Sequence, residues 1–442
     1  MAVTIKIHRG TDQIGGTITE IYTENTHIFI DFGSELSVSD EKSTDPAMVR
    51  MIQSAKCDGV LFTHYHGDHI GLMGKIPEKD TQGNTIRLGI GPVSRKILQN
   101  IHKTLCDNRK LSSSERSEHK RLLELLCEKK RWKDYCDEEE FEIGDFKITP
   151  IRADHSAYDA YLLMIEAEGK CILHTGDFRT HGRLGKDMFS RISKILESKK
   201  VDVLLTEGTM MSRRSEKLLT EEELERRARE ELSKPQHKYA FLVCSSTNVE
   251  SLASFHNAAL HLGRPFIVNR YVYEQLLLYS EYAGAENRKF KFWKAYPFER
   301  RGVYNQRMKA TQLDHIREKG FVMLVGTSDA YTERMNDFRQ DDPLLIYSMW
   351  DGYLRKENEA YNPKLRELYD KWPRHLDLHT SGHACKEDIE EMIRLVHPME
   401  AIIPIHTEKK ELFRKLDIGA LKELVKPLSD GDCYTISGEN QI

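Results

Sequence analysis

The segment Thr63-His-Tyr-His-Gly-Asp-His69 follows the apolar run Gly59-Val-Leu-Phe62 and sets three histidines and an aspartate within seven positions. Alternate side chains of an extended strand point the same way, so His64 and His66 share one side where the strand ends. Gly67 then permits a tight turn that returns Asp68 and His69 to the same place. Imidazole and carboxylate suit zinc or another borderline divalent cation, and four such groups at this spacing can begin two adjacent sites. The competing reading is a polar strand end facing water. The missing ligands should lie at other strand ends of the same type, an apolar run followed by His or Asp and then a small residue. His155 follows Ile148–Asp154, Asp177 follows Cys171–Gly176 and His406 follows Ala401–Ile405. Singly, each is better explained by a cap or a solvent-facing residue than by a ligand. Together they bring the set to seven, enough for two cations that share a carboxylate.

A chain of 442 residues is long enough for two domains, each with its own core. Hydrophobic residues make up 39% and charged residues 31%, with no low-complexity tract, which excludes a disordered chain. No apolar segment approaches the roughly 20 residues that span a bilayer, and Met1–Gly10 lacks a basic-then-apolar leader. A cytoplasmic protein with no membrane partner is therefore expected. The eight cysteines (Cys57, Cys106, Cys127, Cys136, Cys171, Cys244, Cys385, Cys433) show no CxxC spacing, so neither a disulfide framework nor a thiolate zinc ribbon is indicated. Most are expected to be free and buried. A formal charge of -4 removes whole-chain basicity as a route to nucleic acid, so a polyanion would need local positive charge or cations.

Strand-like alternation runs through residues 1–80, a helical pattern spans Ser94–Cys136, and strands return before Glu207. Beyond Glu207, helical and strand-like segments alternate. This rhythm implies a parallel sheet with crossover helices over 208–378, a second domain. Short strands resume in Asp377–Ala384, Ala401–Glu408 and Cys433–Gly438, separated by helical stretches.

His64-x-His66-x-Asp68-His69, with His155 and Asp177 following in order, resembles the metallo-β-lactamase superfamily pattern. More narrowly the chain resembles the β-CASP nucleases of RNase J type. The resemblance implies an α/β fold: a metallo-β-lactamase αββα sandwich in segments 1–207 and 379–442, with the β-CASP domain, a parallel sheet flanked by helices, inserted at 208–378. Asp31 matches an aspartate that supports the metal loop from behind. Glu207, His383 in Thr380-Ser-Gly-His-Ala384, and His406 match three further family motifs. The acidic motif reads Glu207-Gly208-Thr209, where the family often sets a hydroxyl directly after the acid. The separate C-terminal domain of typical RNase J proteins has no counterpart after Cys433–Gly438.

By the same resemblance, one cation is held by His64, His66 and His155, the other by Asp68, His69 and His406, and Asp177 bridges them. Zinc is the expected metal, with manganese the alternative. A histidine at the third motif accompanies RNA substrates, whereas DNA-acting members carry an apolar residue there. The expected reaction is phosphodiester hydrolysis of single-stranded RNA by a metal-bridging hydroxide, leaving a 5′-phosphate and a 3′-hydroxyl. Asp68, Asp177, Glu207 and His383 would carry it, with His383 protonating the departing oxygen and Ser381 and the amides around Gly382 on the phosphate. Glu207, like Asp31, is expected to take the free N–H of a liganding imidazole. His383 can also be read as the start of the helix that follows, and Glu207 as a surface acid.

Ser245, Ser246, Thr247 and Asn248 sit at a strand-to-helix turn, where free amides suit a phosphate, though these residues also suit any helix start. In Arg288–Arg301 cations alternate with aromatics, which fits a single nucleic-acid strand and equally an amphipathic edge strand. Lys129–Lys133 and Arg213-Arg214 read as solvated faces. Alternatives are a DNA-processing nuclease, a non-catalytic RNA-binding scaffold and a small-ester hydrolase; the last leaves residues 208–378 without a task. A homodimer is compatible with all of them.

Overall fold

The computed structural model describes residues 2–36, 45–213, 218–298, 316–358 and 360–436. The chain forms two compact units, one of Met1–Thr180, Leu184–Glu216 and Gly382–Ile442, the other of His181–Arg183 and Lys217–Ser381.

The first unit is built on two sheets. One contains β1 (Val3–Arg9), β2 (Ile18–Tyr22), β3 (His27–Ile30), β4 (Gly59–Leu61), β5 (Arg87–Ile90) and β6 (Trp132–Asp134) in sequential order, with β19 (Cys433–Ile436) antiparallel to β1 at its edge. The other runs β7 (Phe141–Ile143), β8 (Phe146–Ala153), β9 (Ala160–Ala167), β10 (Lys170–His174), β11 (Val203–Glu207) and β18 (Ala401–Ile405). Strand β1 alternates strictly, with Val3, Ile5 and Ile7 buried and the residues between half-exposed. Those inward residues, with Ile30 and Leu61, meet Leu163, Ile165, Val203, Leu205 and Ile403 of the second sheet. The opposite face of the second sheet offers Leu162, Met164, Leu173, Leu204 and Ile402 to Ile192 of helix Met188–Leu196 and to Ile389, Met392 and Ile393 of helix Lys386–Val396. Covered on both faces, β11 and β18 are buried at every position, which is why β18 and Val203–Leu205 of β11 read as apolar runs.

Register then places the chemistry. Strands β10, β11 and β18 are parallel neighbours, with Leu173 beside Leu204 and Glu207 beside Ile405. Their carboxyl ends finish on one edge of the sheet. The loops that leave this edge carry Asp177, Thr209 and His406.

The second unit is a six-stranded sheet in which every pairing is parallel, in the order β14 (Ala295–Phe298), β13 (Phe266–Asn269), β15 (Phe321–Leu324), β12 (Tyr239–Cys244), β16 (Leu344–Ser348) and β17 (His375–Asp377). Phe241, Phe321, Phe338 and Trp372 centre its core. Beneath helix Glu221–Ser233, buried Arg183 is ringed by Glu225 (2.8 Å), Glu250 (3.4 Å) and the Ser254 hydroxyl (3.0 Å).

Several expectations need correction. The helical pattern of Ser94–Cys136 is two helices, Pro92–Cys106 and Ser113–Cys127, after which the chain extends into β6 because Trp132 is drawn into the core beside β5. Residues 377–384 form no strand of their own. His375–Asp377 pairs with β16 in the second unit, and the rest is loop. All eight cysteines are free, but only Cys57, Cys171 and Cys244 are buried. Lys129–Lys133 is not a uniformly solvated face: Arg131 is 6% exposed and its guanidinium donates to the carbonyls of Ile86 and Pro77. Arg213 is described and Arg214 lies outside the described residues.

Candidate metal centre

His64 and His66 follow the end of β4 at Leu61, past bends at Thr63 and Tyr65; His66 is itself extended and precedes a single helical turn, Gly67–Ile70. Gly67 is ordinary backbone at the start of that turn. The close approach is at Gly33, where a Cβ would stand 1.7 Å from the Asp68 carbonyl oxygen. The turn is fixed by its neighbours: Phe32 N donates to His69 O at 2.7 Å and Thr17 N to Asp68 O at 3.1 Å.

The side chains of His64, His66 and His155 meet, with ligand atoms within 4.8 Å of one another, as do those of Asp68, His69 and His406. Asp177, 2% exposed, lies between the two groups. Its Oδ2 is 3.2 Å from His69 Nε2 and 3.8 Å from the Nε2 atoms of both His64 and His155, and its Oδ1 is 4.0 Å from His406 Nε2. Asp68 Oδ2 stands 3.2 Å from His406 Nε2.

Most of these rings are held from behind through Nδ1. Asp31 accepts from His69 at 2.7 Å, the Gly382 carbonyl accepts from His155 at 2.6 Å, and the Thr63 hydroxyl meets His64 at 3.1 Å. For His406 the partner is the Thr209 hydroxyl at 2.8 Å. Each contact turns Nε2 toward the centre, whereas His66 turns Nδ1 inward, 3.2 Å from His155 Nε2. Asp31 and His406 adopt left-handed backbone, at φ 61° and 49°, a conformation that β-carbon residues adopt at a cost and that gathers at functional positions.

The electrostatics ask for positive charge. Against burial, the carboxylates of Asp177, Asp31 and Asp68 hold His69 well above the usual histidine value, and Asp177 and Asp68 raise His406. Asp177, also against burial, is held well below the carboxylate range by His406, His69 and His383. His64 and His155 are pushed well down by burial and neighbouring imidazoles, and burial brings His66 to about 4. Neutral imidazole is the form that binds a metal. His64 Nε2, His69 Nε2 and both Asp177 oxygens are buried without a hydrogen bond of acceptable geometry, although two of them stand in close proximity. Buried polar atoms of this kind are costly unless a further partner satisfies them. The donor set fits divalent metal.

Glu207, fully buried, accepts from His383 Nδ1 at 3.1 Å and from Phe178 N at 2.9 Å. Its partner imidazole is thus His383 and not one of the two histidine groups. His383 Nδ1 is also 3.5 Å from Asp177 Oδ2. Asp177, Glu207, His383 and His406 form a fourth close group. His383 does not start the next helix: Cys385 is the cap there, its amide donating to Asp388 at 3.1 Å. Ser381 belongs to the second unit, where its carbonyl accepts from His181 Nε2 at 2.8 Å.

Thr209 was not singled out from the sequence as a partner of His406, nor Thr63 as a partner of His64. In the second unit, Asn248 caps helix Val249–His261 by accepting from Ser251 N at 3.1 Å, and Ser245 and Thr247 pair through their hydroxyls at 2.8 Å. Ser245, Ser246 and Thr247 are half-buried at the end of β12.

Residues 26–230 match the family described as beta-lactamase superfamily domain, and residues 376–416 match the Zn-dependent metallo-hydrolase RNA specificity domain. A crystal structure of a protein of unknown function from Enterococcus faecalis V583 superposes with a TM-score of 0.69, covering 98% of this chain and 100% of that one at 20% identity, which shows a common fold. Comparison with curated proteins finds no match. No helix among the described residues is long and apolar enough to cross a membrane.

Proposed function

Because the chain belongs to the metallo-β-lactamase superfamily and carries its RNA-specificity segment, we propose that it is a two-metal ribonuclease of the RNase J type. It hydrolyses single-stranded RNA to 5′-phosphate and 3′-hydroxyl ends, and residues 208–378 are its β-CASP insertion. The observation that carries this reading is the meeting of seven imidazole and carboxylate side chains, Asp177 among them, with His383 and His406 supplied from within the RNA-specificity segment.

In this reading His64, His66 and His155 hold one cation, Asp68, His69 and His406 hold the other, and Asp177 serves both. When bound, divalent ions supply Lewis acidity: they bring the ionisation of water toward neutral pH and offset charge on phosphate oxygens. The chain's own residues do the rest. Asp31, Thr63, Thr209 and the Gly382 carbonyl fix which nitrogen of each ring faces inward. Glu207 holds the Nδ1 proton of His383 and leaves Nε2 to give a proton to the departing ribose oxygen. As the P–O3′ bond breaks, the water oxygen stays on phosphorus and its lost proton passes to solvent, while His383, entering the step as imidazolium, gives its Nε2 proton to complete the 3′-hydroxyl and is left neutral. Ser381 and the amides around Gly382 orient the phosphate, and Ser245, Ser246 and Thr247 contact the strand, while Asn248 orders the turn that presents them.

The test is to incubate zinc- or manganese-loaded protein with end-labelled RNA bearing a 5′-monophosphate, 5′-triphosphate or 5′-hydroxyl, beside DNA of the same sequence. Cleavage of RNA to 3′-hydroxyl products, abolished by Asp177→Ala, is expected. Turnover of DNA alone, or cleavage that persists in Asp177→Ala, would remove this reading.

A further inference from the structure

The segment Arg288–Tyr296 of the second unit sorts its side chains into two sets. Phe290, Phe292 and Ala295 are buried, and the Phe292 ring lies 5.1 Å from that of His256. Trp293 and Tyr296 are instead 54% and 50% exposed. They are not on a loose loop. His256 Nε2 donates to the Trp293 carbonyl at 2.6 Å, Asn257 Nδ2 to the Lys289 carbonyl at 2.9 Å, and Phe266 N to the Lys294 carbonyl at 3.3 Å. The buried phenylalanines and these three bonds hold the turn, which presents Trp293 just ahead of β14, the edge strand of the sheet, while Tyr296 projects from β14 itself.

The charges divide in the same way. Lys289 pairs with Glu225 at 2.6 Å and Lys291 donates to the Ser280 carbonyl at 2.8 Å. Arg288 and Lys294 are exposed and have no ion-pair partner among the described residues. The guanidinium of Arg288 sits over the indole of Trp293, 5.6 Å from its centroid. Residues 287–298 contain no acidic side chain, in a chain whose formal charge is -4.

We propose that Trp293 and Tyr296, flanked by Arg288 and Lys294, form a stacking platform for single-stranded RNA; the choice of RNA rests on the ribonuclease reading above. Exposed aromatic faces take bases without regard to sequence, and unpaired cations beside them neutralise the connecting phosphates. A protein-binding patch would set its aromatics in a centre depleted of charge, whereas here unpaired cations alternate with them. The platform would hold the strand independently of the bond being cut.

The experiment uses the full metal-loaded chain and a nuclease-resistant 2′-O-methyl phosphorothioate oligouridine. Affinity is read by anisotropy and contact by quenching of tryptophan fluorescence. Trp132 and Trp372 are buried and Trp350 is half-buried, so Trp293 is the most exposed of the four indoles, and its replacement separates its signal from that of Trp350. Trp293→Ala should weaken binding about tenfold and remove most of the quenching, while Trp293→Phe should keep the affinity and lose the quenching. Replacing Arg288 and Lys294 together by alanine should lower the salt slope by roughly 1.4, about 0.7 per cation. Unchanged affinity and quenching in Trp293→Ala would overturn the proposal. So would a change in sedimentation of Trp293→Ala without RNA, which would make the patch a contact between copies. The two readings fail separately: cleavage of ordinary RNA without quenching by the resistant strand removes the platform alone, and quenching without cleavage removes the ribonuclease alone.

Discussion

His406 reaches the centre from a left-handed backbone, and its Nδ1 is held by a hydroxyl that no motif announces. Thr209→Val keeps the shape and deletes the partner, so metal affinity should fall about 10- to 100-fold, while Thr209→Ser should retain it, as measured by competition with a chromophoric chelator. The same contact answers a question the sequence raised. The hydroxyl expected directly after Glu207 stands two positions on and serves His406 in place of the acid. That His64, His66, His155 and His406 might meet could be read, because each follows an apolar run that ends at a strand terminus. Which atom lies behind each ring could not, since it depends on φ at His406 and on the distant Gly382 carbonyl. Charge gives a second expectation. His69 and His406 have raised values, so above the usual histidine pH of 6.5 they still carry protons that a cation must displace. Affinity should keep rising with pH above 6.5, and calorimetry in buffers of different ionisation enthalpy should find protons released on binding. No proton release at pH 7 would contradict this.

At the level of elements, the centre depends on how closely the loop after β3 approaches the turn after β4. Gly33 leaves no room for a methyl group beside the Asp68 carbonyl, whereas a Cβ on Gly67 would meet nothing nearer than the Ser34 hydroxyl at 3.9 Å. Gly33→Ala should therefore lose metal, by elemental analysis of purified protein, and Gly67→Ala should bind it normally. The sequence points to the other glycine, because spacing within a motif cannot reveal a neighbour more than thirty positions upstream. The apolar runs of β11 and β18 and the helix–strand alternation beyond Glu207 were readable for a simple reason: burial on both faces leaves a compositional mark. The strand at Trp132–Asp134 left little, being three residues behind a strong helical pattern.

For the whole molecule, cations that bind only the folded chain add stability by mass action, about 2.7 kcal/mol at a hundredfold excess over the dissociation constant. Calorimetry should show the metal-loaded protein unfolding at a higher temperature than the chelator-treated one, with the difference abolished in Asp177→Ala. The order in which the chain supplies its parts has another consequence. Strands β18 and β19 edge the two sheets of the first unit, yet they are translated after the whole of the second. A nascent chain must therefore wait with β1 and β11 each lacking a neighbour, open to wrong pairing, until residues 401–436 leave the ribosome. His406 arrives with that stretch. The ribosome thus acts as a timer: no chain that stops short of His406 can assemble the full set of seven ligands.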